Sequence, residues 1–416
     1  MRRHVSAAKG SNLSKVKTIN LSVVLNHIRS RGPISRTELA EVTDLTAATI
    51  TNVVNQLAKL GLVSESGRVL SRGGGRYRVL LTLNESNYYT VGVEISRHHV
   101  QAVLVDLGGN VHAELFEEHD TGSPREVVER AARMVHALMQ QNRNRRFVAV
   151  GIGVPGPVDI SQGVVISPPN FPGWNWVPLR DQIAERIALP VYVDDDAKTA
   201  ALGEAWFGAG VGAATMVYLT VGTGIGAGVV IDRVLYSGTH DLAGQIGHTT
   251  VDVDGPRCEC NNVGCLETLA SIPAIVRAAR RRLREGAESA LRDLPESDLA
   301  AAEAICKAAL AGDPLASEVM ERTIQYLGAA VINVVNLYDP EMIVVGGRLA
   351  RLNETLVPRL RHLVRERAYS FASESVTLVP SVLQNKASSV GAAALAIQHL
   401  FEDPARFLER ANVRQG

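Results

Sequence analysis

A chain of 416 residues, 46% hydrophobic and 21% charged, carries enough apolar material for two or three packed domains, which excludes a disordered or fibrous protein. Its formal net charge of +0 hides an asymmetry: residues 1–83 hold 13 Lys and Arg against 4 Asp and Glu, and the rest holds 30 against 39. A basic head on an acidic body predicts a polyanion-binding module joined to a unit with a different task.

The start, MRRHVSAAKG, is charged and runs on into polar residues, where a secretory signal needs an apolar stretch. From Thr18 to Arg31, apolar Ile19, Leu21, Val24, Leu25 and Ile28 recur at helical spacing, and Gly32-Pro33 ends the segment. Ser35 and Glu38 have capping-box spacing and open a short helix, Arg36–Val42, and Thr46 caps a third helix that runs to Leu60. Two short helices joined by Thr43-Asp44-Leu45 make a helix-turn-helix. In the third, Ile50, Val53, Val54, Leu57 and Leu60 point inward. Ala48, Thr49, Thr51, Asn52, Asn55 and Lys59 are left for the other side, a polar face suited to base edges in the major groove of operator DNA. Val69-Leu70 and Val79-Leu80-Leu81 predict two strands flanking a glycine loop, a wing whose Arg68, Arg72, Arg76 and Arg78 can neutralise phosphates or enter a narrow minor groove.

After a polar joint at Asn84–Asn87, strands are predicted over 89–95, 100–106 and 111–113, a helix over Pro124–Arg143, strands at Phe147–Val154 and Val191–Val193, and a helix at Asp196–Phe207. Strands alternating with long helices make the body an α/β fold with a largely buried sheet. The run Ala213–Ile231 carries no charge and approaches the length of a bilayer span, but its glycines divide it into a hairpin. Gly222–Gly226 (GTGIG) either lets amides approach a phosphate or simply serves a tight turn, and Met342–Arg348 is a strand running into a second glycine turn.

His248, Cys258, Cys260 and Cys265 form a Cys₃His set of the kind that holds Zn²⁺ tetrahedrally. Four protein ligands close such a site, so the zinc is expected to be structural. Cys306, in a helical stretch, is expected to fill core. So few cysteines make no disulfide framework, and a reducing cytoplasm is the expected compartment.

Gly151–Val158 (GIGVPGPV), Pro169–Trp174 (PNFPGW), Asp195-Asp196-Ala197 through Gly203-Glu204, Gly244–His248 (GQIGH) and Gly264–Glu267 (GCLE) give the chain a resemblance to the ROK family of sugar-responsive repressors and sugar kinases. The likeness extends over essentially the whole chain. It implies a winged helix-turn-helix at 1–83, a linker at 84–87, and at 88–416 a two-lobed, actin-like ATPase (ribonuclease H-like) body. By the same resemblance, Asn170, Asp195, Asp196, Gln245, His248 and Glu267 bind a sugar, and Asp196 matches the base of the family's kinases. The kinases' Asp-x-Gly-x-Thr loop is here Glu94-Ile95-Ser96-Arg97, without glycine, and Gln245 replaces their Glu. The expected protein is therefore a regulator rather than an enzyme, with operator DNA and a monosaccharide or sugar derivative as partners. It is expected to be a homodimer or homotetramer with no membrane association. The alternatives are a sugar kinase with a DNA-binding head and a docking platform for a signalling protein. Trp174 is expected in the core, with stacking on a sugar as the other possibility.

Overall fold

In the computed structural model, which describes residues 13–70, 77–119, 123–169 and 171–415, the chain opens with helix α1 (Leu13–Arg31). Leu21, Val24, Leu25 and Ile28 line its buried face. Ile19, expected in that stripe, is 48% exposed, because two positions along a helix place it nearly opposite Leu21. A two-residue strand, β1 (Ile34–Ser35), leads into α2 (Arg36–Thr43), where Ser35 and Glu38 close the capping box in both directions. Asp44, left-handed at φ 54°, turns the chain toward α3 (Ala47–Lys59), which Thr46 caps by accepting from the Thr49 amide. Strands β2 (Val63–Leu70) and β3 (Tyr77–Leu83) pair antiparallel, and β1 adds to the other edge of β3 as a third strand not anticipated above. The wing tip with Arg72 and Arg76 lies outside the described residues.

Beyond the joint, β4 (Tyr89–Ile95), β5 (His99–Asp106) and β6 (Val111–Glu118) form an antiparallel meander. Helix α4 (Pro124–Gln141) crosses to β7 (Phe147–Val154), parallel to β4. A small hairpin of β8 (Val158–Asp159) and β9 (Val164–Val165), then α5 (Leu179–Ala184), precede β10 (Val191–Asp195), and the first sheet has the order β10-β7-β4-β5-β6. Helix α6 (Asp196–Phe207) leads to the hairpin of β11 (Met216–Val221) and β12 (Ile225–Ile231), followed by β13 (Val234–Tyr236). That hairpin is the uncharged run, and no described helix is long and apolar enough to cross a membrane. Four helices follow: α7 (Leu266–Ala270), α8 (Ile272–Arg284), α9 (Asp298–Leu310) and α10 (Pro314–Tyr338). Next come β14 (Met342–Gly346), α11 (Arg348–Leu352), α12 (Leu356–Arg367), α13 (Ser370–Ser375) and β15 (Thr377–Pro380), which complete a second sheet, β13-β12-β11-β14-β15. Helices α14 (Ala387–Glu402) and α15 (Pro404–Gln415) close the described chain.

Each sheet buries its outer face under its own helices, the first under α4 and α5 and the second under α8, α9, α10 and α12, where Cys306 is a buried core residue as expected. On the inner faces α14 lies on the first sheet and α6 on the second, and the two helices pack against each other. Their backbones nearly touch: a Cβ at Gly391 would stand 1.7 Å from Thr199 O. Gly391→Ala is therefore expected to lower the unfolding free energy by about 3 kcal/mol in urea titration, because backbone cannot yield as a flexible side chain can. A loss under about 0.5 kcal/mol would show that the helices part without cost.

The polar joint is bonded on both sides. Leu107 N donates to Glu85 O at 3.0 Å, Asn87 Nδ2 to Gly61 O at 2.9 Å and Tyr88 OH to Leu60 O at 2.7 Å. One buried cluster joins Leu25, Ile28 and Leu57 of the head to Ile397, Leu400 and Phe401 of α14 and Phe407 of α15. Burial of this kind contributes about 25 cal/mol per Å² of apolar surface, enough to seat the head on the body.

Candidate functional site

Four sulfur and nitrogen donors meet beside the start of α7. His248 closes a turn that lies on β12: a Cβ at Gly247 would fall 2.1 Å from Ile225 O. Cys258, Cys260 and Cys265 come from the loop before α7, in which Asn261 adopts φ 72°, the left-handed conformation that asparagine tolerates. His248 Nδ1 stands 3.6 Å from Cys258 Sγ and Cys260 Sγ 3.6 Å from Cys265 Sγ, and all four donor atoms lie within 4.8 Å of one another. The two 3.6 Å separations match the edges of a tetrahedron whose centre lies about 2.0–2.3 Å from each donor, and the four donors together fit a metal ion. Burial pushes the Cys265 thiol up to about 12. A cation among these thiols favours their thiolates and counters that penalty.

The second cluster gathers where β4, β10 and α6 end or begin. Asp195, expected to be a sugar ligand, has other bonds in the structure. Its Oδ1 accepts from the Ala197 and Lys198 amides as the cap of α6, and the Gly156 amide donates to the same carboxylate. Asp196 follows in the first turn of α6. Burial, with the Asp195 and Glu94 carboxylates nearby, pushes its pKa up, and the Arg97 guanidinium opposes the shift. Glu267, on the first turn of α7, accepts from Ile225 N at 2.9 Å. A Cβ at Gly224 would fall 2.9 Å from Glu267 Oε2 and 3.8 Å from Arg97 Nη2, so the β11–β12 turn, Arg97 and Glu267 converge. Arg97 Nη2 also donates to Pro169 O at 2.8 Å, tying down the residue before Asn170, which lies outside the described residues. Gln245 and His248 line a cavity of about 550 Å³ against Pro169, Phe171 and Leu242, between the two sheets' loops. Trp174 is fully buried and stacks on Phe171 at 4.5 Å, the core role expected of it.

Sequence reasoning missed a trio beside this cleft, a buried Asp194–Lys198 pair with a half-buried Asp241. Lys198, 1% exposed, lies 3.8 Å from Asp194 Oδ1 and donates to Asp241 O, while Asp241 Oδ2 accepts from Ile160 N across to the β8–β9 hairpin. The i,i+4 spacing of Asp194 and Lys198 was the available signal. Burial pushes Asp194 up to about 7 despite the Lys198 ammonium. Asp194 and Asp196 thus bind protons more tightly folded than unfolded. Their stabilising contribution is full below about pH 4 and is lost as the pH rises through about 7 for Asp194 and about 8 for Asp196. Stability of the sugar-free chain is expected to fall between pH 5 and 8, by up to about 1.4 kcal/mol per pH unit for each group in its titration range. Asp196→Asn, which mimics the protonated acid, should flatten that slope in urea titrations; an equally steep variant would contradict the assignment.

On the head, Ala48, Thr51, Asn52 and Asn55 are exposed along one side of α3 and Thr49 is half-buried, while Ile50, Val53, Val54 and Leu57 are buried; Leu60, expected inward, caps the helix half-buried.

A model of the ROK family matches residues 90–399, more than half of the chain, and the chain belongs to this family. The xylose repressor of Caldicellulosiruptor bescii is 31% identical over 399 residues, covering 94% of this chain and 99% of that protein. The DNA-binding transcriptional dual regulator NagC of Escherichia coli is 32% identical over 410 residues, covering 95% and 98%. A solved ROK family transcriptional regulator, homologous to the E. coli Mlc protein, matches with TM-score 0.81 at 31% identity over 96% of this chain and 100% of that one. A ROK glucokinase from Streptomyces griseus, in complex with glucose and AMPPNP, matches with TM-score 0.65 at 32% identity over 74% and 99%. The mixed α/β body is thus of the kind found in sugar kinases, and the likeness to the regulators takes in the head as well.

Proposed function

We propose that this protein is a sugar-responsive transcriptional regulator, a repressor of carbohydrate uptake or catabolism genes. The end-to-end likeness to named repressors, head included, carries the reading. Residues 1–83 serve as a winged helix-turn-helix, 84–87 as the joint and 88–416 as the sugar-binding body. Helix α3 reads the major groove with Ala48, Thr49, Thr51, Asn52 and Asn55, and Arg72 and Arg76 of the wing hold phosphates or enter the minor groove. In the cleft, Asn170, Asp196, Gln245, His248 and Glu267 offer convergent donors and acceptors to a ring of hydroxyls, and Asp195 orients Asp196 by capping α6. Cys258, Cys260, Cys265 and His248 would hold Zn²⁺ as a structural ion; with Nδ1, which faces Cys258 Sγ, as the ligand atom, His248 Nε2 would be left for a hydroxyl.

The protein acts as a homodimer or homotetramer, since paired half-sites need paired heads. Sugar shifts the population between two lobe arrangements, and its effect is limited to its differential affinity for them. Arg97 supports a non-enzymatic reading: it stands in the stretch that matches the kinases' glycine phosphate loop, and its guanidinium reaches across to Pro169 O. The retained Asp196 favours the kinase alternative, and ATP-dependent phosphorylation of a monosaccharide, abolished by Asp196→Asn, would establish it. Fluorescence anisotropy on DNA from upstream of the protein's own gene, at two salt concentrations and with a panel of monosaccharides and sugar phosphates, tests the proposal. Specific binding altered by one sugar supports it; only weak, salt-erased binding that no sugar changes overturns it.

A further inference from the structure

We propose that α6 carries the sugar signal to the head through the contact of Arg29 with Trp206, which makes these two residues positioning residues for the operator response. The inference rests on the function proposed above and adds the route between its two sites. Helix α6 has one end in each. Asp195 and Asp196 stand at its start in the cleft, and Trp206 stands at its end, about 15 Å further along. The helix is held as a rigid rod. Ala197 through Glu204 are buried, and a Cβ at Gly203 would meet Ala387 O of α14 at 2.8 Å. The buried Glu204 carboxylate accepts from Ala209 N at 2.7 Å and Leu383 N at 3.0 Å, and also from the Ser381 hydroxyl, fastening the far end of the helix to the loop after β15. A displacement of the first turn is therefore delivered to the last, because close-packed elements shift as units rather than deform continuously.

At that end the head is waiting. The Arg29 guanidinium carbon lies 3.9 Å from the centroid of the Trp206 ring, which also packs against Phe401 of α14. Arg29 sits in the last turn of α1, and Leu25 and Ile28 of the same helix share the buried cluster with Leu57 of α3, so moving α1 moves the proposed reading helix. No carboxylate among the described residues lies within ion-pair distance of Arg29, and its buried Nε has no hydrogen-bond partner. Burial pushes the guanidinium down to about 10. The aromatic face is thus the interaction that offsets the cation's loss of water. A partner of that kind is sensitive to ring position, whereas the apolar contacts of Ile397, Leu400 and Phe401 tolerate sliding and keep the head seated without it.

Full-length wild type, Arg29→Ala, Trp206→Ala and Trp206→Phe would be compared by operator anisotropy and by hydrogen exchange of residues 13–59. Both would be run with and without D-xylose, N-acetylglucosamine and their phosphates, with sugar affinity measured by calorimetry. In Arg29→Ala and Trp206→Ala the sugar-induced change in operator affinity is expected to shrink at least fivefold, and the sugar-induced change in exchange of α1 to vanish. Sugar affinity stays within about twofold and sugar-free operator binding within about threefold. Trp206→Phe, which keeps a ring, should restore most of the response. An Arg29→Ala variant that responds as wild type does, or that loses response only in proportion to sugar affinity, overturns the proposal while leaving the regulator reading intact. A wild type that no sugar moves on DNA overturns both.

Discussion

Cys265→Ser is expected to lower the zinc content of the purified chain from about one ion to under about 0.1, and sugar affinity at least tenfold, as read by elemental analysis and calorimetry. Cys265 is fully buried, immediately precedes α7, and its thiol also approaches His248 O at 3.5 Å. It therefore joins the turn presenting His248 to the helix presenting Glu267. Removing one thiolate leaves three donors and frees both presenting segments, while the head, whose core lies with α14 and α15, keeps its packing. Sugar-free operator binding should accordingly change little. Cys260→Ser alters an exposed ligand and gives a milder version that stays folded. A Cys260→Ser chain with its zinc lost and its sugar response intact would show that the metal does not support the cleft.

Asn52→Ala and Asn55→Ala are each expected to weaken specific operator binding by about 1–3 kcal/mol, with the salt dependence unchanged. Both side chains are exposed on α3 opposite the stripe of Ile50, Val53, Val54 and Leu57, so truncation removes contacts to bases without disturbing the core. Arg68→Ala, on strand β2, should instead weaken binding to any duplex and lower the salt slope by about 1, as loss of a phosphate contact does. Anisotropy titrations on operator and scrambled DNA separate the two effects. Equal losses on both duplexes from the asparagine variants would remove α3 from the role of reader.

The parts of this protein legible in its sequence are those whose partners lie a few residues away. The Ser35–Glu38 box and the Thr46 cap close over three residues, and the structure contains both. The Cys₃His set was equally legible, because three thiols within eight positions need only a loop to gather them. So was the start of α6 at Asp196. The expected stripe of α1 failed only at Ile19, where helical period, not apolarity, decides the face.

Tertiary structure decided the rest. Pairing of Ile34 with Leu81, the Gly156 amide on Asp195, the Ser381 hydroxyl on Glu204 and the seating of Arg29 on Trp206 all join residues far apart in the chain. Hence the cap that Asp195 places on α6 closes within three residues, whereas its bond from the Gly156 amide exists only because β7 and β10 lie side by side. A residue's type states which bonds it can make. Which of them it does make depends on which groups burial brings within about 3 Å of it, and that is set by the packing of the whole chain.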